Sequence, residues 1–239
     1  TVFAPLQMED EAGRPSGFAV EIVQELLRRA AEARPGLTSK LRFLPWKRAF
    51  HVASHSPNTL FFSLSRTPER EDSFIWIGEI SPYEVYFYRL KSNPRTAPRS
   101  LAEIKARHEM IGVQALSNTE KLLQRLGFEE NRDYMTYPHY SNGIKMLFHK
   151  RFTMLPLTGF AARANTCKLG LPGDDIYPAL KVEALSKPLW LTLNLGSDPE
   201  LAPLLTGVFR QLASEGITSK LQDRYIRQWQ TLPCAAQSG

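Results

Sequence analysis

The stretch Phe61-Phe62-Ser63-Leu64-Ser65-Arg66-Thr67-Pro68-Glu69-Arg70-Glu71 decides how this chain is read. An apolar β-type run, Thr59-Leu60-Phe61-Phe62, breaks into two hydroxyls spaced i, i+2, which places Ser63 and Ser65 on the same side of the pleat at the strand end. Thr67-Pro68 reads as a helix start, with Thr67 as N-cap and Pro68 at the first helical position, so the direction of Arg70 is set by the turn. Two hydroxyls, backbone N–H groups and a guanidinium fork at a strand end make a receptor for a small anion, most naturally a carboxylate. A plain strand-to-turn junction with a surface arginine uses the same residue types, and the local pattern leaves both readings open.

Outward from that strand, Phe18 to Ala33 carries apolar residues at Phe18, Ile22, Leu26 and Ala30, which is helical spacing. Thr1 to Ala4 and Lys40 to Leu44 read as short strands, and Pro45 to Ser54 as a helix with Trp46, Ala49, Phe50 and Ala53 on one face. The first part is therefore β-loop-α-β-α-β, an alternation that argues for a mostly parallel sheet. Ser73 to Tyr88 is β-rich, and Lys91 to Pro98 is a polar, proline-containing connector. The pattern then restarts, with helices at Ser100–His108, Asn118–Leu126 and Asn142–Lys150 and strands at Met110–Gln114, Tyr134–Tyr137 and Phe152–Leu157. A helix about Thr158 to Ala164 follows, then strands at Lys181–Leu185 and Leu189–Asn194 and closing helices at Pro199–Ser214 and Thr218–Trp229.

Two such repeats imply an α/β protein of two lobes, residues 1–88 plus 190–239 and residues 89–189, sizes at which a core buries well. Two crossings, near Tyr86 to Lys91 and Ser186 to Trp190, then form a hinge on which the lobes close. The binding edge of open α/β lobes lies at strand carboxyl ends and helix N-termini. Ser117-Asn118-Thr119-Glu120 sits at such an end and reads as a capping box, whose N–H groups and helix dipole suit an anion.

The 239 residues are 43% hydrophobic and 23% charged, ordinary for a soluble globular protein. No apolar run approaches the ~18 residues that span a bilayer. The net charge of +6 is spread over scattered Lys and Arg rather than clustered with aromatics, which argues against nucleic-acid binding. Thr1-Val2-Phe3-Ala4 lacks a basic and apolar leader, so the chain begins either as a cytoplasmic protein or after removal of a signal peptide.

The pattern S-x-S-x-T-x-x-R from Ser63 to Arg70 resembles the carboxylate-binding segment of the type II periplasmic solute-binding proteins of family 3, which deliver polar amino acids to ABC importers. Gly17-Phe18-Ala19-Val20-Glu21-Ile22, Pro45-Trp46-Lys47-Arg48-Ala49, Phe74-Ile75-Trp76-Ile77-Gly78 with Ser81-Pro82-Tyr83, Gly112-Val113 with Ser117-Asn118-Thr119, and Gly216-Ile217 with Tyr225 are similar to its later landmarks. The resemblance implies a two-lobed, periplasmic, monomeric binder of a small carboxylate-bearing ligand, working with the membrane subunits of an importer and needing no cofactor. It implies Arg70 as the anchor, aided by Ser63, Ser65, Ser117 and Asn118, with Trp46 packing on the ligand and no ligand contact at Arg66. Leu6 stands where the family has an aromatic lid, and Thr158 where its amino-acid binders have the aspartate that pairs with ammonium. A hydroxyl cannot balance a desolvated ammonium, so either Glu9 or Asp10 does so or the ligand is not an α-amino acid. His139 follows a second-lobe strand and is a further candidate.

Two alternatives share the fold, a periplasmic dehydratase and the ligand-sensing domain of a receptor. An enzyme would need an acid/base pair, for which Glu9, Glu120 and His139 are the candidates, and the reading adopted is a binder without catalytic residues. His51 and His55 have zinc-pair spacing but no evident third ligand, so no metal is expected. Cys167 and Cys234 suit either one disulfide in an oxidising compartment or two unrelated thiols, and a bridge between them is expected to cross the hinge.

Overall fold

A computed structural model describes residues 3–138 and 140–234. The first part of the chain forms β1 (Met8–Glu9), β2 (Pro15–Ser16), α1 (Phe18–Ala33), α2 (Trp46–His55), β3 (Leu60–Ser65), β4 (Phe74–Ser81) and β5 (Val85–Leu90). Next come α3 (Leu101–Ala106), β6 (Ile111–Gln114), α4 (Asn118–Arg125), β7 (Tyr134–Tyr137), α5 (Tyr140–Phe148), β8 (Leu155–Thr158), α6 (Ala162–Lys168) and β9 (Ile176–Lys181). β10 (Leu189–Asn194), α7 (Leu201–Ser214) and α8 (Ile217–Gln230) follow. These elements make two units, Thr1–Pro82 with Lys187–Gln228, and Tyr83–Ser186 with the chain from Trp229 onward.

In the first unit, the periodic stripe of α1 does what its spacing predicts, burying Phe18, Ile22, Leu26 and Ala30. Gly17 makes its entry possible. With φ at 112°, and with a Cβ there falling 2.6 Å from the Leu6 carbonyl oxygen, only glycine lets Ala19 N–H reach that oxygen at 2.9 Å. The sheet runs β3-β10-β4, with β10 antiparallel to both neighbours. This corrects the expectation of a mostly parallel sheet, because the central strand arrives from the far end of the chain. Lys40 to Leu44 forms no strand, and none of its residues is buried, so ladder pairing there would gain no apolar burial. Phe3 makes only an isolated antiparallel bridge to Gln7, and Thr1 and Val2 of the expected first strand lie outside the described residues.

In the second unit the repeat does produce parallel pairing, between β6 and β7, with a parallel bridge from Ile111 to Met154. A second sheet runs β8-β5-β9, antiparallel throughout. Phe87, Ile104, Ile111, Val113, Leu123 and Met154 form one core, and Tyr137, Ile144, Leu147, Phe152 and Leu155 another. The boundary therefore lies before β5 rather than after residue 88: β5 is the middle strand here, with Val85 opposite Thr158 and Tyr86 opposite Lys181. Residues 181–185 are mostly a 3-10 turn, the strand being β9 just before it, and the helix expected from Thr158 starts at Ala162.

The tail also changes sides. Cys167 and Cys234 are disulfide-bonded, and both belong to the second unit. Arg163 Nη1 donates to the carbonyls of Gln230 at 2.9 Å and Leu232 at 2.6 Å, and Lys168 Nζ lies 3.9 Å from the Trp229 ring centroid. The bridge thus does not run from one unit to the other. The chain instead passes between units a third time, at the end of α8.

Arg89 and Glu109 form an ion pair whose side chains are both fully buried. Arg89 Nη1 also donates to the Thr96 carbonyl at 2.9 Å, which pins the connector after β5, while Arg89 Nε and Glu109 Oε1 have no hydrogen-bond partner. Removing one partner of such a pair strands a charge. Glu109→Ala is therefore expected to cost ~3–5 kcal/mol in urea unfolding, and Arg89→Met with Glu109→Leu clearly less. Opening the Cys167–Cys234 loop, a sequence separation of 67, is expected to cost about 4 kcal/mol through loop-closure entropy, read as the difference between oxidised and reduced protein. Two free thiols per chain in denatured, unreduced protein would contradict the bridge.

Candidate functional site

Arg70, Ser65, Trp46 and Phe50 meet at the end of β3 in the first unit. Pro68–Ser73 folds as a short 3-10 helix rather than an α-helix, with Thr67 extended before it and Pro68 at its first position, as the Thr-Pro signal predicts. Arg70 N–H donates to the Thr67 carbonyl at 2.9 Å, and Arg70 Nη1 donates to the Ser65 carbonyl at 3.1 Å. The guanidinium carbon lies 5.7 Å from the Trp46 ring centroid and 5.6 Å from that of Phe50. Those two rings stack at 5.2 Å with planes 16° apart, one helical turn apart on α2. Phe50 in turn meets Phe61 and Phe74 edge-on, which ties this aromatic platform to β3 and β4.

Arg70 is half-buried and, among the described residues, has no carboxylate within ion-pair distance. Burial pushes its guanidinium below the usual arginine value, with Glu69 pulling the other way. Facing aromatic rings offsets part of that cost, since the ring faces carry partial negative charge. Among the described residues only Nη1 of its guanidinium is engaged, so several of the fork's five N–H donors remain for an anion. Trp46 stays 45% exposed beside it, a flat apolar surface next to a cation.

Ser63 does not join this group. It is the bulged residue of β3, skipped between the Leu64–Trp190 and Phe62–Leu191 pairs, with φ at 66°. The bulge breaks the i, i+2 alternation that placed Ser63 with Ser65, and Ser63 Oγ donates to Gln7 Oε1 at 2.6 Å. Leu6 is fully buried, so it is core and no substitute for an aromatic lid. Asp10 is used in its own turn, accepting from Ala12 N–H, Arg14 N–H and Arg14 Nε, and Arg14 holds its carboxyl below the usual range. Glu9 stands exposed at the end of β1.

In the second unit, Ser117 caps α4, its Oγ accepting from Glu120 N–H at 3.2 Å. The reciprocal half of the capping box is displaced by one residue: Glu120 Oε2 accepts from Leu116 N–H at 2.5 Å, and Ser117 N–H donates to the Gln114 carbonyl. Ser117 N–H is thus not free for an anion, and Asn118 is the first helical residue. Thr158 ends β8, buried and hydrogen-bonded to the Tyr83 hydroxyl, whose pKa burial pushes up. His139 lies outside the described residues. His51 and His55 stack at 4.3 Å, with His55 Nδ1 bonded to the His51 carbonyl, and no cluster of three metal-ligating side chains occurs among the described residues.

Phe50 and Gln7 are the partners that sequence reasoning missed. Phe50 carried a signal, its i, i+4 spacing from Trp46. Gln7 carried none, because its contact depends on a bulge in a strand far along the chain.

No family model matches this sequence, and no curated protein matches it. Solved structures do resemble it in fold. A mutant of ArgBP from T. maritima has a TM-score of 0.67 at 17% identity, over 94% of this chain and 91% of that one. A histidine kinase sensor domain with similarity to periplasmic binding proteins has a TM-score of 0.69 at 14% identity, covering 93% and 91%. An ancestral amino acid-binding protein that is a precursor of cyclohexadienyl dehydratase has a TM-score of 0.68 at 14% identity, covering 94% and 91%. The fold is that of the two-lobed periplasmic binding proteins.

Proposed function

We propose that this protein is an extracytoplasmic solute-binding protein of an ABC importer, holding a small carboxylate-bearing ligand, an amino acid or a relative of one, by closure of its two units. The observation that carries the reading is Arg70: a half-buried guanidinium without a protein carboxylate among the described residues, fixed at a strand end on a Trp46–Phe50 platform. Such a group gains most from an anion that replaces the water it has lost, and its planar fork matches a carboxylate in two-pronged fashion. Ser65, Trp46 and Phe50 join Arg70 on the first unit's side, and Ser117, Asn118 and Thr158 are the proposed contributions of the second. Ser63 orients Gln7 rather than the ligand. With Asp10 consumed by Arg14, Glu9 is the remaining first-loop carboxylate proposed for a ligand ammonium. The absence of a membrane-crossing helix among the described residues is compatible with this role, and so is the kinship of fold with amino-acid binders.

A thermal-shift screen against amino acids, small carboxylates and cationic amines finds the ligand, since binding to the native state alone raises the midpoint. For the compound so identified, Arg70→Ala is expected to weaken binding by ~2–5 kcal/mol, about thirty- to several-thousand-fold in calorimetric titration. Arg70→Lys is expected to lose most of the same affinity, because an ammonium lacks the fork. Retention of affinity within about threefold by Arg70→Ala would remove the assignment.

A further inference from the structure

Arg66 and Glu71 flank Arg70 in sequence and close on each other in space. Arg66 Nε donates to Glu71 Oε2 at 2.8 Å and Oε1 at 3.1 Å, and Arg66 Nη2 donates to Oε1 as well. The same guanidinium lies over two indoles, its Cζ 5.1 Å from the Trp76 centroid and 4.7 Å from that of Trp190. Those indoles meet edge-on, 5.9 Å apart at 85°. Trp76 Nε1 donates to the Glu71 carbonyl at 2.9 Å, so Glu71 is held by its side chain and by its backbone at once. Arg66, Glu71 and Trp190 line a groove of about 560 Å³ together with Lys187.

The turn between these two residues needs outside support. A 3-10 helix of six residues has poor hydrogen-bond geometry of its own, and Thr67 supplies no side-chain cap bond. Arg66 cannot serve as a second anion receptor while its fork is filled by Glu71, which holds its pKa above the usual value. The pair joins Arg66 to the turn and, through Trp76 and Trp190, to β4 and β10, and Arg70 is the residue just before Glu71.

We propose that Arg66 is a positioning residue: the Arg66–Glu71 pair, seated on Trp76 and Trp190, locks the turn so that the Arg70 guanidinium stays on the Trp46–Phe50 platform. This gives a function to a residue for which the family resemblance implies no ligand contact. It rests on the carboxylate-anchor reading only for its consequence in binding, and its test needs no ligand.

Because Arg70 sits over two aromatic faces, the protons of its side chain carry an upfield ring-current shift in the NMR spectrum of the free protein. Arg66→Lys keeps the charge beside the indoles but cannot make the forked bond. It is expected to lose most of that shift and to speed amide exchange at Arg70, whose N–H is held by Thr67. Glu71→Gln is expected to do the same, and the double variant no more than either single change, since both remove one interaction. Lys187→Ala, in the same groove but outside the clamp, is expected to leave the Arg70 shift in place. An Arg70 shift unchanged in both Arg66→Lys and Glu71→Gln overturns the proposal, as does an equal loss in Lys187→Ala. If Arg70→Ala binds normally while Arg66→Lys loses the shift, the anchor reading fails and the lock stands.

Discussion

Withdrawing a guanidinium from water without giving it a carboxylate costs free energy, and the edge of the first unit is arranged around that cost. Arg66 and Arg70 are four residues apart, and each lies over a pair of aromatic rings. Their electrostatic states are opposite. Arg66 is filled by Glu71, whose own carboxyl the pair holds below the usual range, whereas among the described residues the Arg70 guanidinium has only a backbone carbonyl. One arginine is structural because its demand is met within the chain. The other is the proposed receptor because, among the described residues, its demand is left open, and the aromatic platform makes that open state tolerable without satisfying it.

The second unit handles buried charge differently. Arg89 and Glu109 are both removed from water; Arg89 Nε makes no hydrogen bond, and Glu109 Oε1 has only the Arg107 guanidinium at 3.6 Å. That arrangement is poor for stability compared with an apolar pair but specific, since it fixes where the connector after β5 must run. The tail is secured by other means: a covalent bridge, two carbonyls on Arg163 and a lysine over Trp229.

Much of this was legible in the sequence where a local rule suffices. The stripe of α1, Pro68 at the start of its turn, the Ser117 cap and the strand Leu189–Asn194 all follow from spacing, proline geometry or capping chemistry. What failed did so wherever the outcome depended on distant partners. Parallel pairing was inferred from alternation, but β10 enters between β3 and β4 from the other end of the chain. Ser63 was placed by the pleat, but a bulge opposite Trp190 and Leu191 turns it to Gln7. The boundary after residue 88 was set by a polar connector, but the ladders of β5 to β8 and β9 bring that strand into the second unit. At the candidate site, Arg70 and Trp46 can be singled out from the sequence and lie side by side, their role in binding being a proposal. The Arg66–Glu71 contact has no sequence signal, since an Arg-to-Glu spacing of five residues has no meaning until the turn between them is known.

The middle position of β10 bears on how the protein is made. β3 and β4 leave the ribosome early, yet the strand that pairs with both follows only after the whole stretch from Tyr83 to Ser186. During that interval the second unit can assemble most of its core while the first exposes two apolar strand edges, Leu60-Phe61-Phe62 among them. The strands of the inserted unit are thus all available before the first unit's sheet can be completed. The β3-β10-β4 sheet can be completed only once Leu189–Asn194 is available, and the bridge only once Cys234, near the end of the chain, is.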